Sequence, residues 1–220
     1  EPSEAQLAQT ENLRLLQLTW AGADKYTRIE NLPQSVVLAN ASGAFGTIIA
    51  EYAIGSLVAL YRSFGRYWSN KQAYIWQKYD HAETISGKTA LVLGMGDIGA
   101  NVARRLKVFG AAVLGVKRTA VSAVSADFDE AHTLDALDAL LPRADIVIGC
   151  LPNTRETAGL LTAERLHAMK AGAVLVNVGR GSLAGTDDLV SALQDGHLGG
   201  AALDVFETEP LPADCPLWDM

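Results

Sequence analysis

From Leu91 onward, short apolar runs alternate with segments whose apolar residues recur every three to four positions. Lys88 to Leu93, Ala112 to Val116, Asp145 to Cys150, Ala173 to Val178 and Leu198 to Val205 are apolar along nearly their whole length, the pattern of strands covered on both faces of a parallel sheet. Between them, Asn101 to Phe109 places Val102, Leu106 and Phe109 at helical spacing. Thr133, Thr162 and Thr186 each stand where an N-cap would precede an apolar-periodic helix, and Gly196 would close the last of these. The alternation predicts an α/β fold with a doubly wound parallel sheet of Rossmann type. Its ligand should lie outside the carboxyl ends of the strands, where Gly94, Lys117, Leu151-Pro152 and Gly179-Arg180 fall.

The first part of the chain reads differently. Leu13 to Thr19 and Val36 to Ala39 predict two short strands, and Phe45 to about Trp68 predicts one long helix, apolar on nearly every side. Such a helix must be covered by something large. Either it lies against the α/β part of the chain or it packs in a subunit interface, and Tyr52, Tyr61, Phe64, Tyr67 and Trp68 suit both. A homodimer built on this helix is the expected assembly.

Composition narrows the class. With 220 residues, 49% hydrophobic and 20% charged, the chain can bury a core for one or two soluble domains. The net charge of -7, with no basic stretch beyond pairs such as Arg104-Arg105, argues against a nucleic-acid surface. The apolar stretch from Ile48 to Leu60 is interrupted by Glu51 and runs into Tyr61-Arg62, so no membrane span is read there. Cys150 and Cys215 are far apart and form no metal-spaced motif, which points to structural thiols in a reducing, cytoplasmic setting with no metal site.

The chemistry begins at Gly94-Met95-Gly96-Asp97-Ile98-Gly99, a Gly-x-Gly-x-x-Gly run between an apolar strand and a helix. In that setting Gly94 allows a tight turn, Gly96 lets the backbone approach a pyrophosphate, and Gly99 lets the helix pack closely on the sheet. Asp97 and Ile98 would present backbone N–H groups to the diphosphate at a positive helix end. A nicotinamide dinucleotide is the expected cofactor. An NAD site usually carries an acid roughly 20 residues after the glycines, to accept from the ribose 2′-hydroxyl. Here Lys117, Arg118 and Thr119 stand at the next strand tip, and no Asp or Glu occurs between Asp97 and Asp127. Two solvated cations would look the same in isolation. Position and the missing acid together favour NADP, since charge-assisted bonds worth about 1.5 to 3 kcal/mol each could discriminate roughly ten- to a hundredfold.

Several ordered motifs then resemble one family. Trp20-Ala21-Gly22-Ala23-Asp24, Asn40-Ala41-Ser42-Gly43, Ala50-Glu51, the glycine loop, Leu151-Pro152-Asn153-Thr154, Asn177-Val178-Gly179-Arg180-Gly181 and Ala202 through Pro210 together resemble the D-isomer-specific 2-hydroxyacid dehydrogenases. The basic strand tip looks more like the NADP-using glyoxylate and hydroxypyruvate reductases than the NAD-using phosphoglycerate dehydrogenases. The resemblance implies that residues 1–43 are part of a flavodoxin-like substrate domain and that 44–220 form the NAD(P)-binding domain, the long helix included.

The implied reaction is reduction of a small 2-keto acid by hydride from NADPH. Arg180 matches the arginine that binds the substrate, and its planar fork suits a carboxylate while donating to the keto oxygen. Glu209 matches the acid that hydrogen-bonds a catalytic histidine and raises its pKa. Asp204 matches the residue that orients the nicotinamide carboxamide, and Trp20, Ala21 and Gly22 match the loop that meets the substrate. Leu151, Pro152, Thr157, Val178 and Gly179 complete the implied cofactor contacts, beside Arg180. Singly, Arg180 reads as a turn cation and Glu209 as a solvated acid before proline; as a set they read as a site. None of His81, His132, His167 and His197 fits the family's histidine, which is expected beyond Met220, so the chain reads as an inactive fragment of a longer enzyme. The competing readings are an NAD-dependent phosphoglycerate dehydrogenase and an NAD(H)-sensing corepressor of the same fold, both disfavoured by Lys117-Arg118.

Overall fold

The computed structural model describes every residue except 1, 28, 30–32, 34, 80–81 and 120–122. The reading of His81 as an ordinary surface or packing residue therefore lies outside the described residues. The chain divides into two compact units, Glu1–Phe45 and Gly46–Met220.

The first unit holds helix α1 (Glu4–Ala8) and two parallel strands, β1 (Leu15–Gln17) and β2 (Val37–Ala39). Ser3 and Gln6 close α1 with a reciprocal capping box. Leu7, Leu16, Leu18, Tyr26 and Val36 form its small core.

The second unit begins with α2 (Gly46–Tyr61) and α3 (Phe64–Gln72), where a single helix through Trp68 was expected. The break has a local cause. Ser63 adopts φ 52° in the left-handed region, a conformation that cannot continue a right-handed helix. The expectation of a helix buried on several sides is also corrected. On α2, Ala50, Ala53, Ile54, Leu57 and Tyr61 form one buried stripe, whereas Ile48 and Tyr52 face out, and α3 buries none of its residues. The stripe packs with Val102 and Leu106 over the sheet, so α2 lies against the nucleotide-binding part of its own chain.

The sheet follows as β3 (Thr89–Leu93), α4 (Asp97–Val108), β4 (Ala112–Lys117), β5 (Glu130–Thr133), α5 (Leu137–Leu140), β6 (Ile146–Gly149), α6 (Ala163–Ala168), β7 (Val174–Asn177), α7 (Thr186–Gln194) and β8 (Gly200–Leu203). All neighbouring pairs are parallel, in the order β5-β4-β3-β6-β7-β8. This is the doubly wound order in which the chain reverses direction between β3 and β6, opening a crevice at their carboxyl ends. Successive residues of β3 serve opposite faces. Ala90 and Val92 join the core under α2 and α4, and Leu91 and Leu93 join the core under α5, α6 and α7. That two-sided burial is why the strands read as unbroken apolar runs.

Three expectations change in detail. Thr133 is the last residue of β5 and precedes a 3-10 turn rather than capping an α-helix directly. Thr186 is the first residue of α7, and Gly185 occupies the cap position. The final strand spans only Gly200–Leu203 and is half-buried, because β8 is the last strand in the sheet order.

Candidate functional site

The crevice is built around the glycine loop. Gly94 adopts φ +108° directly after β3, its N–H donates to the Val116 carbonyl at 2.8 Å, and an added Cβ would come within 2.9 Å of the Cys150 carbonyl oxygen. The turn thus needs glycine both for its conformation and for its approach to the end of β6. A Cβ on Gly99 would overlap the Gly94 carbonyl, so α4 sits as close to the loop as a backbone allows. Gly96 differs from both. Its φ of -80° suits any residue, and a Cβ there would meet nothing within 4 Å. Among the described residues nothing requires glycine at 96, and the space beside it is open to a group from outside.

Electrostatics agree with an anion in that space. Gly96 caps α4 without a side chain, and the N–H groups of Asp97, Ile98 and Gly99 find no acceptor among the described residues. The Asp97 carboxylate is turned away, against Gly46 at the first turn of α2, and accepts from Asn101 Nδ2 at 3.2 Å. Backbone N–H groups without an acceptor among the described residues thus stand at the start of α4, the arrangement a diphosphate needs.

At the tip of β4, Lys117 is half-buried and Arg118 and Thr119 are exposed. Neither cation has a carboxylate partner among the described residues, because the nearby acids are committed elsewhere. Asp127 holds Arg104 and Asp129 holds Lys107. Hydrogen bonds from Arg143 and then His132 hold the Glu130 carboxyl down to about 2. Asp135 accepts from the Thr133 hydroxyl. The strand tip keeps its positive charge for a ligand or solvent.

The loop after β6 carries Leu151, buried, and Pro152, exposed. Thr157 supports it from beneath. Its hydroxyl donates to the Pro152 carbonyl at 2.5 Å and accepts from the Thr154 N–H at 2.9 Å. Beside it, burial pushes the Cys150 thiol up to about 12, which leaves it no thiolate chemistry.

After β7, Val178 and Gly179 are buried and lead to half-buried Arg180. Asn177, only 2% exposed, organises this loop. Its Oδ1 accepts from the Gly179 N–H at 3.2 Å and its Nδ2 donates to the Arg180 carbonyl at 2.9 Å. The Asn177 carbonyl also accepts from the Asp204 N–H at 3.0 Å, tying exposed Asp204 to the same strand end. A cleft of about 190 Å³ gathers Arg180 and Glu209 with Asn153, Ser182, Phe206 and Glu207. Glu209 Oε1 accepts from the Phe206 N–H at 2.9 Å, and Glu207 Oε2 accepts from the Thr186 N–H at 2.9 Å. Sequence reasoning paired Arg180 with Glu209 but gave no role to Asn177, Glu207, Asn153 or Ser182. A lone amide ending an apolar strand was the available signal for Asn177; Glu207 offered none, since its partner is remote in sequence.

In the first unit, Trp20 is 58% exposed and stacks on Phe45 with ring centroids 5.8 Å apart. The Ala21 carbonyl accepts from Asn40 Nδ2 at 2.6 Å, and the N–H groups of Ala21 and Gly22 find no acceptor among the described residues. No described histidine lines the Arg180–Glu209 cleft. His132 pairs with Glu130, and His167 stacks on His197 at 4.9 Å while bonding Asp195.

Comparison with known proteins agrees with this geometry. Residues 54–220 match the family profile described as D-isomer specific 2-hydroxyacid dehydrogenase, NAD binding domain. A D-isomer specific 2-hydroxyacid dehydrogenase family protein from Aeromonas salmonicida is 41% identical, covers 98% of this chain and superposes with a TM-score of 0.87. An NADPH-dependent glyoxylate/hydroxypyruvate reductase from Sinorhizobium meliloti, solved with NADP and sulfate, is 28% identical over 99% of the chain with a TM-score of 0.88. The D-3-phosphoglycerate dehydrogenase of Mycobacterium leprae is 35% identical over 97% of the chain. The chain spans 69% of each of those two solved chains and 40% of the mycobacterial protein. With a Rossmann-type sheet, a glycine loop at the carboxyl end of β3 and a profile match running from α2 through Met220, the chain belongs to the D-isomer-specific 2-hydroxyacid dehydrogenase family and carries its NAD-binding domain.

Proposed function

We propose that the protein reduces a small 2-keto acid of the glyoxylate or hydroxypyruvate type to the D-2-hydroxy acid, using NADPH. The observation that carries this reading is the cleft in which Arg180 and Glu209 meet at the carboxyl ends of the strands. The residues fit a dinucleotide. The N–H groups of Asp97 and Ile98 with the open face of Gly96 would hold the diphosphate, and Lys117, Arg118 and Thr119 would hold a 2′-phosphate. Leu151, Pro152, Val178 and Gly179 would line its path, Thr157 acting through the loop, and Asp204 would orient the carboxamide. Bound NADPH supplies a hydride.

The chain's own groups supply the rest. Arg180 grips the substrate carboxylate and donates to the keto oxygen as negative charge develops there. Glu209 keeps one oxygen on the Phe206 N–H, and its other oxygen is the one to orient a histidine that protonates the former keto oxygen, which becomes the new hydroxyl. In the first unit, taken by itself, the N–H groups of Ala21 and Gly22 find no acceptor among the described residues and so could serve a carboxylate, and Trp20 is an exposed, bulky side chain.

Substrate charge supports the same choice. Among the described residues Arg180 is the one cation lining the cleft, beside Glu207 and Glu209, which weighs against a second anionic group such as the phosphate of a phosphoglycerate dehydrogenase substrate. The corepressor reading needs an acidic strand tip, where Lys117 and Arg118 stand. A homodimer is part of the proposal, supported by outward Ile48 and Tyr52 on α2 and by Phe64, Tyr67 and Trp68 on α3. A cytoplasmic setting rests on two unpaired thiols, Cys150 and Cys215. Steady-state assays with glyoxylate, hydroxypyruvate and phosphohydroxypyruvate against NADPH and NADH test the reading. With the partner histidine of Glu209 present, turnover on the order of 1 to 10³ per second with NADPH and an unphosphorylated acid is expected, and without that histidine the rate should fall by about 10²- to 10⁴-fold. Preference for NADH, or for the phosphorylated acid, would refute it.

A further inference from the structure

Glu209 is held by a single described contact, the Phe206 N–H, so its aim depends on how Phe206 is fixed. Two features fix it. The Glu207 carboxylate reaches the start of α7, where Oε2 accepts from the Thr186 N–H at 2.9 Å and from the Thr186 hydroxyl at 3.1 Å. Because the cap residue Gly185 brings no side chain, Glu207 satisfies an amide that α7 cannot satisfy itself and places its charge at the positive helix end. From the other side, Gly181 lies so close to the Phe206 carbonyl and the Glu207 nitrogen that a Cβ would overlap them. The loop that presents Arg180 and the segment that presents Glu209 therefore share one backbone contact, and the Glu207–Thr186 bonds anchor it to a helix.

We infer that Glu207 is a positioning residue, which clamps this segment to α7 and sets Glu209 and Arg180 in register for one substrate. Its catalytic consequence rests on the 2-keto acid reductase reading; the clamp itself does not. Glu207 lines the cleft, but its carboxylate is already bonded, so it acts through Phe206 rather than on substrate.

Glu207→Ala should lower kcat by about 10- to 10²-fold, the loss typical of a small misplacement of reacting groups, and should alter the pH profile of kcat/KM. NADPH affinity should stay unchanged. Glu207→Gln should recover most of the rate, since its amide oxygen accepts the same two bonds, and Thr186→Val should lose part of it. A residue that only stabilised α7 would lower Tm while leaving kcat, KM and the pH profile of the folded enzyme untouched, and that result overturns the inference. Amide exchange at Phe206, followed by NMR on this chain, needs no activity. Both Glu207→Ala and Thr186→Val should speed it, the former roughly tenfold, and unchanged exchange in both overturns the clamp. Faster exchange together with a wild type that reduces no 2-keto acid even with the partner histidine of Glu209 present would instead remove the reductase reading and leave the clamp standing.

Discussion

Replacing Gly96 and Gly99 by alanine should separate what the cofactor needs from what the fold needs. Gly96 has φ -80° and ψ -162°, which alanine adopts freely, and its new Cβ would meet no protein atom within 4 Å. The stability cost of Gly96→Ala is then that of a poorer helix cap, below about 1 kcal/mol and so a few degrees in Tm. The same methyl would project where the diphosphate must approach. Forcing one extra carbon into a close contact costs about 1 to 3 kcal/mol, which would weaken NADPH roughly ten- to a hundredfold. Gly99→Ala should behave in the opposite way. Its Cβ would overlap the Gly94 carbonyl and approach Val92 Cγ1 at 3.2 Å, so α4 must shift and about 1 to 3 kcal/mol of stability is lost before any ligand is added. Urea unfolding beside fluorescence titration with NADPH measures both quantities on each variant. If Gly96→Ala is destabilised as much as Gly99→Ala, or binds NADPH like the wild type, the assignment of the open face of Gly96 to the diphosphate is wrong.

At the strand tip, Arg118→Asp should move the NADPH-to-NADH affinity ratio toward NADH by roughly ten- to a hundredfold, read by paired titrations; an unchanged ratio would mean the 2′-phosphate lies elsewhere. Arg180→Lys keeps the charge but loses the bidentate fork, so KM should rise and kcat fall together by roughly 2 to 4 kcal/mol of transition-state stabilisation while NADPH affinity holds; loss of cofactor binding with kcat/KM intact would make Arg180 a cofactor residue. His167 has acceptors at both ring nitrogens, Asp195 and the Ala163 carbonyl, which raise its pKa above the ordinary 6.5, while the same bond and the His197 N–H lower Asp195 from 3.8. The histidine contribution is complete below its unfolded pKa and lost as pH rises through the folded one, and the aspartate contribution is lost as pH falls through its depressed value. The stability lost in His167→Ala should accordingly be greatest between about pH 4 and 6.5 and fade in alkali; a difference independent of pH in urea melts would contradict the bonding scheme.

Much of the nucleotide-binding unit was legible because its signals are local. A strand covered on both faces must be apolar at successive positions, so β3, β4, β6 and β7 announce themselves within five or six residues. The positive φ of Gly94 and the approach of Gly99 to the Gly94 carbonyl are local to the turn between β3 and α4, and Lys117-Arg118 are read directly from the end of an obvious strand. The edge strand β5 was missed for the same reason in reverse. Glu130-Ala131-His132-Thr133 is half-buried and mostly polar, and only its pairing with β4 makes it a strand.

The sequence by itself therefore determined the fold class, the glycine loop and the residues from which a site could be drawn, because each depends on spacing along the chain. Tertiary structure decided which of them meet. It ended α2 before Ser63, chose one stripe of that helix for burial, and brought Arg180 and Glu209 into one cleft. It also supplied α7 with a carboxylate from Glu207, which stands after β8, where the residues next to Thr186 offered no cap. Hydrogen bonds and close packing between segments remote in the sequence leave no periodic trace in it, so Asn177 and Glu207 acquire their roles only once the parallel strands have placed their carboxyl ends side by side.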